Sequence, residues 1–265
     1  MPENASRVGI IGGTGLYDAT MFKEEERKKV FTPFGETSDL ISILSFDKKG
    51  KIAFLPRHGR NHTIPPHKVN YRANIWALKE LGVNRVIAAS TVGSLREDYK
   101  PGEFAIPDQF IDRTKKRIDT FYEGGKVCHI SAAMPFCSEL REVLIKAGKS
   151  IGVTVHNGGT YVCIEGPRFS TMAESRLFRD WKADIVGMTL YPECVLAREA
   201  ELCYACVAMI TDYDVWAEKP VSTAEILKTV KQNIENFKRL VFQAIKMTPE
   251  CRSCGCSEAL KEAST

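Results

Sequence analysis

A chain of 265 residues, 44% apolar and 26% charged, has room for one large α/β domain and the composition of an ordinary globular protein. Its net charge of +4 comes without a long basic run, which argues against nucleic acid as the main partner, and no apolar stretch reaches membrane-spanning length. Residues 1–7 carry no apolar signal-peptide core, so a cytoplasmic protein is expected.

The first predicted strand, from Arg7, runs into Gly12-Gly13-Thr14-Gly15. Glycines let backbone N–H groups converge on an anion, and Thr14 adds a hydroxyl. The spacing is not that of a dinucleotide fingerprint. A charged stretch follows, then two hairpin-like strands, Asp39–Phe46 and Lys51–Pro56, where a crossover helix would be needed. A plain tight turn is the competing reading. The second of those strands ends in Pro56-Arg57-His58-Gly59-Arg60. A guanidinium and an imidazole at a strand end suit an oxyanion, and a surface ion pair for Arg57 is the alternative. His62 and His67 follow among prolines and basic residues with no carboxylate near, so no metal is expected there.

Residues 70–81 have helical periodicity, with Ile75, Leu78 and Leu81 on one face and Gly82 as the stop. A buried strand from Arg85 ends in Ser90-Thr91-Val92-Gly93, a second possible anion cradle. Short strands are expected at 104–107 and 110–111. An amphipathic helix is expected over 138–151, with Ser138 as N-cap. Strands at 153–156 and 159–164 flank Asn157-Gly158, a hairpin signal. Helices over 172–181, 192–202 and 222–246 follow, with a strand at 184–189. Ser222 and Glu225 form a capping box for the last helix.

Strands alternating with helices, without repeat or linker, predict one α/β domain: a three-layer α/β/α arrangement around a mixed sheet over residues 1–247. A Cys-rich tail, 248–265, follows. Most of the nine cysteines lie in apolar segments, where inert buried thiols are the default. The tail run Cys251-Arg-Ser-Cys254-Gly-Cys256 is open to three readings: a redox pair, a partial metal ligand set or a frayed terminus. Three cysteines without a fourth ligand nearby argue against zinc.

An apolar strand from Tyr204 to Ile210 ends at Asp212-Tyr213-Asp214. Period-2 geometry puts both carboxylates on one side if the strand continues. Two like charges that close cannot both ionise cheaply, so one pKa is expected to rise, and a protonated Asp can donate while its partner accepts. Such a pair matches an aminopurine, whose N7 accepts and whose 6-amino group donates. Two ordinary surface acids are the bland alternative.

The stretches GIIGGTGLYD, PRHGRNHTIPPHKVNYRANIWALKELG, VGSLRE, DQFIDRT, IEGPRFSTMAESR, GMTLYPE and TDYD occur in the order seen in S-methyl-5′-thioadenosine phosphorylases. These are a branch of the purine nucleoside phosphorylase family, and the chain resembles them from about Arg7 to Ile245. The resemblance implies that Thr14, Arg57, His58, Ser90, Thr91 and Thr189 hold phosphate. It puts Phe169 against the purine and Met188 against the ribose, makes Asp212 and Asp214 the purine-reading pair, and makes Asp212 the acid. Tyr213 joins the substrate-binding set, and Ser170 and Thr223 are candidate specificity positions. His129 resembles the histidine that a neighbouring subunit lends to the 5′-pocket, so a homo-oligomer is implied, a trimer or a dimer of trimers. Gly187 departs from the asparagine of vertebrate members. The tail resembles archaeal members. A local disulfide between Cys254 and Cys256 is expected, and the archaeal resemblance implies Cys137 paired with Cys203.

The expected reaction is phosphorolysis of S-methyl-5′-thioadenosine, with inorganic phosphate as co-substrate and no metal or organic cofactor. A broader purine nucleoside phosphorylase, also taking adenosine, inosine or guanosine, is the second reading. A nucleoside-binding module without catalysis is the third, and the intact acid pair speaks against it.

Overall fold

The structure is a computed structural model that describes residues 8–13, 22–46, 50–216, 223–261 and 263. Its centre is β11 (Cys203–Asp212), hydrogen-bonded in parallel along nearly its whole length to β5 (Arg85–Ser94). Side chains alternate across a strand, and here both sets are apolar. Tyr204, Cys206, Ala208 and Ile210 pack to one side with α1 (Tyr71–Glu80) and α4 (Glu193–Glu199). Cys203, Ala205, Val207 and Met209 pack to the other with α2 (Ser138–Ser150) and α5 (Thr223–Met247). A strand apolar on both faces must be covered on both, which gives the expected three layers.

The edges of β5 position the site. On one edge, Arg85–Ala88 pair in parallel with β1 (Val8–Gly12), while Gly93 and Ser94 pair antiparallel with β10 (Ile185–Gly187). Between them, Ala89, Ser90, Thr91 and Val92 have no strand partner on that edge among the described residues. The two neighbours diverge there, leaving a crevice of the kind that receives ligands in α/β sheets. Beyond β1 the sheet continues through β4 (Lys51–Pro56), β3 (Ile41–Ser45) and β2 (Lys23–Lys28). Beyond β10 it continues through β9 (Thr160–Ile164) to β7 (Gln109–Arg113). On its far edge β11 pairs with β6 (Phe104–Ile106), and β6 with β8 (Val155–Asn157).

Three local expectations are corrected. The charged stretch before residue 39 contains an edge strand, β2. Its sequence Lys-Glu-Glu-Glu-Arg-Lys holds no apolar signal: it pairs with β3 through its backbone, and its Glu24 carboxylate accepts from the Ser42 hydroxyl of β3 at 2.8 Å. The 153–164 segment is not a hairpin: β8 pairs with β6, and β9 with β7 and β10. Gly158 and Gly159 both take positive φ (105° and 118°), and their N–H groups donate to Ile106 and Asp108, carrying the chain from one partner set to the other. The N-cap of α2 is Cys137, not Ser138, with the sulfur accepting from the Leu140 N–H at 3.4 Å.

After α5 the tail turns back onto the domain. Ser253 donates through backbone and hydroxyl to Glu139, and Cys256 is buried in the core on the α2–α5 side. Neither expected disulfide is formed: all nine cysteines are free thiols. The four sulfurs concerned converge on one point, so neither pair is singled out. No helix among the described residues is long and apolar enough to cross a membrane.

Candidate active site

A cavity of about 630 Å³ opens at the divergence beside β5, a size suited to a nucleoside plus a small anion. Most of the predicted residues line it. Arg57, His58, Ser90, Thr91 and Thr189 supply one set, and Phe169, Ser170, Met188, Asp212 and Asp214 the other. Gly13 also lines it, whereas Thr14 lies outside the described residues. Thr223 opens α5, and its side chain is likewise outside them.

Arg57, at the end of β4, is almost wholly buried and is no surface ion pair. Its Nε and Nη2 donate to the two oxygens of Glu193 at 2.7 Å each, and Nη1 donates to the Ala89 carbonyl at 2.7 Å. Glu193 has no exposed surface and also accepts from the Tyr204 hydroxyl at 2.8 Å. Burial alone works against the guanidinium charge, but Glu193 outweighs it and the pKa moves up. A guanidinium has five N–H donors, and these bonds occupy one on each nitrogen. Two N–H groups, one on each terminal nitrogen, remain for a ligand in the cavity. Glu193 therefore fixes the plane of Arg57. Sequence reading gave Glu193 no role, because a lone glutamate opening a helix looks like an ordinary first-turn acid.

His58 follows Arg57 at the cavity. Burial first, and the Arg57 charge second, push its pKa down to about 4. Its Nδ1 lies 2.9 Å from the Ile64 carbonyl, which can only accept, so Nδ1 carries the hydrogen. Nε2 is left as an acceptor, suited to a protonated phosphate oxygen. The Ser90 hydroxyl lies 2.8 Å from the Tyr161 hydroxyl and 3.1 Å from the Thr189 hydroxyl, joining β5, β9 and the turn after β10 in one buried network. The sequence assigns Tyr161 no role: it stands in an apolar strand, as a core aromatic would. Gly187 makes room for it: a Cβ there would stand 2.0 Å from the Tyr161 oxygen. An asparagine at 187 thus requires a different placement of residue 161.

The acid pair is brought together by a turn rather than by a continuing strand. A register shift interrupts β11 between Ile210 and Asp212, and Asp214 takes a positive φ of 51° in a 3-10 turn. The Asp214 N–H donates to Asp212 Oδ1 at 2.8 Å, and the Thr211 hydroxyl to Oδ2 at 2.7 Å. Gly93 lies opposite, where a Cβ would stand 2.9 Å from Asp212 Oδ1. Burial pushes the Asp214 pKa up and the Asp212 charge adds to this, with the Ser175 hydroxyl working against it. Asp214 Oδ2 and Ser170 Oγ are both buried without a hydrogen-bond partner. Orphaned polar atoms lining a cavity are where a ligand gains most.

Two predicted residues do not line the cavity. Tyr213 alternates to the other side of the chain, edge-on to Trp216, with its hydroxyl 3.5 Å from the Glu97 carbonyl. It is not a wall of the site. His129 lies in a separate depression with Arg198, Glu258 and Lys261, its N–H donating to Ala263. Phe169 does line the cavity but is 73% exposed.

Guanidinium, neutral imidazole and hydroxyls lie beside a carboxyl pair in one crevice, an arrangement whose chemistry suits an anion and a hydrogen-bonding heterocycle. The sequence profile of the phosphorylase superfamily matches residues 7–246, and the chain belongs to that superfamily. Among its relatives are S-methyl-5′-thioadenosine phosphorylases from Thermofilum pendens, 56% identical over 97% of this chain and 98% of the relative, and from Saccharolobus solfataricus, 56% identical over 98% and 97%. Similar solved structures include a methylthioadenosine phosphorylase from an antarctic soil metagenomic library, with a TM-score of 0.94 and 42% identity, covering 99% of this chain and 93% of the other. The methylthioadenosine phosphorylase from Schistosoma mansoni in complex with adenine aligns with a TM-score of 0.87 and 39% identity over 91% of each chain.

Proposed function

We infer that the chain catalyses phosphorolysis of S-methyl-5′-thioadenosine, giving adenine and 5-methylthioribose 1-phosphate. The observation that carries this reading is the joining of the Arg57–Ser90–Thr189 cradle and the Asp212–Asp214 pair in one cavity. The relatives' names supply the nucleoside. A phosphate oxygen forms a bond to the ribose anomeric carbon as the bond to the purine breaks. Negative charge gathers on the leaving purine, and a proton delivered to N7 neutralises it. The cradle holds the dianion in place against the developing cationic sugar.

The proton belongs to the carboxyl pair. In the unliganded site burial favours it on Asp214. A purine 6-amino group donating to Asp214 favours the carboxylate there, which leaves Asp212 as the residue assigned to N7. In this reading residues 1–247 are the catalytic domain, 248–265 are its Cys-rich tail, and the enzyme works in the cytoplasm.

Phosphate is required. Incubated with methylthioadenosine in phosphate-free buffer, the protein should release adenine at no more than background, and adding phosphate should restore release with equimolar sugar phosphate. Adenine release at an undiminished rate without phosphate would make the enzyme a hydrolase.

The working unit is a homo-oligomer, a trimer or a dimer of trimers. Support comes from His129, which is remote from its own chain's cavity, and from the exposed Phe169 ring at that cavity. Sedimentation should show three or six chains of 29.6 kDa. A monomer with full activity overturns this.

A further inference from the structure

Tyr161 stands one layer back from the cavity. Its side chain is fully buried on β9 and does not line the wall, yet its hydroxyl lies 2.8 Å from that of Ser90, which does. Gly187 on the neighbouring strand β10 is the slot through which the phenol passes: a Cβ there would stand 2.6 Å from Cζ and 2.0 Å from the oxygen. The same oxygen accepts the Thr189 N–H at 3.5 Å.

The direction of the Tyr161–Ser90 bond follows from where each hydrogen can go. Burial pushes the phenol pKa up, so Tyr161 keeps its single hydrogen. Among the described residues, Ser90 Oγ is the acceptor it reaches. Ser90 has other outlets for its own hydrogen: Thr189 Oγ1 at 3.1 Å, or a ligand in the cavity. Tyr161 is therefore the donor. Its bond fills a lone pair of Ser90 and leaves the Ser90 hydrogen to point elsewhere.

We propose that Tyr161 is a positioning residue for phosphate, acting through Ser90 by holding that hydroxyl as a donor to a phosphate oxygen. The inference rests on the phosphorolysis reading and adds to it a residue set back from the ligand. Of the three hydroxyls, the phenol closes the internal bond, and those of Ser90 and Thr189 are left to donate to the anion. Phosphate oxygens are acceptors, and a hydroxyl donating to a charged oxygen makes one of the stronger hydrogen bonds. Without the phenol, Ser90 can turn a lone pair toward the anion instead, or direct its hydrogen to Thr189.

Tyr161→Phe tests this, because it keeps the ring in its slot and removes one oxygen. The phosphate KM should rise roughly 5–30-fold, while kcat and the methylthioadenosine KM at saturating phosphate stay within about twofold of wild type. The rise in melting temperature that phosphate alone gives the protein should shrink in step, a readout of binding without turnover. Ser90→Ala and the double variant Ser90→Ala with Tyr161→Phe should share one phosphate KM, since the phenol acts only through Ser90. A merely structural tyrosine would lower the melting temperature of the phosphate-free protein and leave the phosphate KM alone. That result overturns the proposal, and so do additive effects of the two substitutions. A wild type that releases adenine without phosphate overturns the phosphorolysis reading and this proposal with it. A phosphate-dependent wild type beside a Tyr161→Phe variant with unaltered phosphate KM overturns this proposal alone.

Discussion

Glu193→Ala leaves the Arg57 guanidinium buried and without its counter-ion, and the expected loss of folding stability is about 3–5 kcal/mol. The ion pair is bidentate and shielded from solvent, so water cannot take over. The Tyr204 hydroxyl loses its acceptor as well. Denaturant midpoints with constant slope measure the cost. The phosphate KM of whatever folded fraction survives should rise steeply, because Arg57 loses its fixed orientation. A second variant separates fold from function. Arg57→Met, Glu193→Met and Tyr204→Phe together remove the three polar side chains at once and leave only the Ala89 carbonyl behind, and replacing a buried ion pair whole typically recovers stability. That triple variant should regain most of the lost midpoint and remain unable to use phosphate. A Glu193→Ala midpoint within about 1 kcal/mol of wild type would show the pair to be ordinary in its context.

The second large effect is kinetic. Asp212→Asn removes the carboxyl assigned to N7 and should lower kcat for methylthioadenosine and inosine alike, by a factor of about 10²–10⁴. Asp214→Asn should act differently. An amide can donate to a 6-oxo group, where a carboxylate would set two lone pairs against each other, so the inosine-to-methylthioadenosine ratio of kcat/KM should rise. Asparagine is also among the residues that best tolerate the left-handed backbone at 214. The pH profile adds a check. Asp214 is held above the usual carboxylate range by burial, so the free site keeps its proton to higher pH than an exposed acid would. Wild-type kcat/KM should fall as pH rises through that titration, and the limb should be lost in Asp214→Asn. A ratio that Asp214→Asn leaves unchanged would remove Asp214 from recognition of position 6.

What the sequence revealed follows from what kind of force each feature uses. The 203–212 strand was legible because a strand buried on both faces must be continuously apolar. The carboxylates at its end stood out against that run. Arg57 was visible as a charge at a strand end, but its partner was not, since Glu193 lies 136 residues away and nothing local marks it. Tyr161 was hidden for the complementary reason: a buried tyrosine looks like core until its hydroxyl is placed beside Ser90 and Thr189. The edge strand β2 escaped because backbone pairing at a solvent edge leaves no apolar pattern. The tail cysteines were visible, but the two sulfurs that meet them come from elements brought near only by the fold.

The split neighbourhood of β5 bears on how such an enzyme can diverge. Its anion cradle sits where β1 gives way to β10, so it is drawn by the strand order itself. Insertions or losses in surface loops cannot erase it without unpairing the sheet. The walls that meet the rest of the ligand are different in kind: Phe169 stands on a loop and is largely exposed. Descendants of this chain would therefore inherit the co-substrate with the architecture and renegotiate the nucleoside at the rim. Directed evolution toward new 5′-groups should accordingly gather its changes around Phe169 while leaving Ser90, Arg57 and Glu193 untouched.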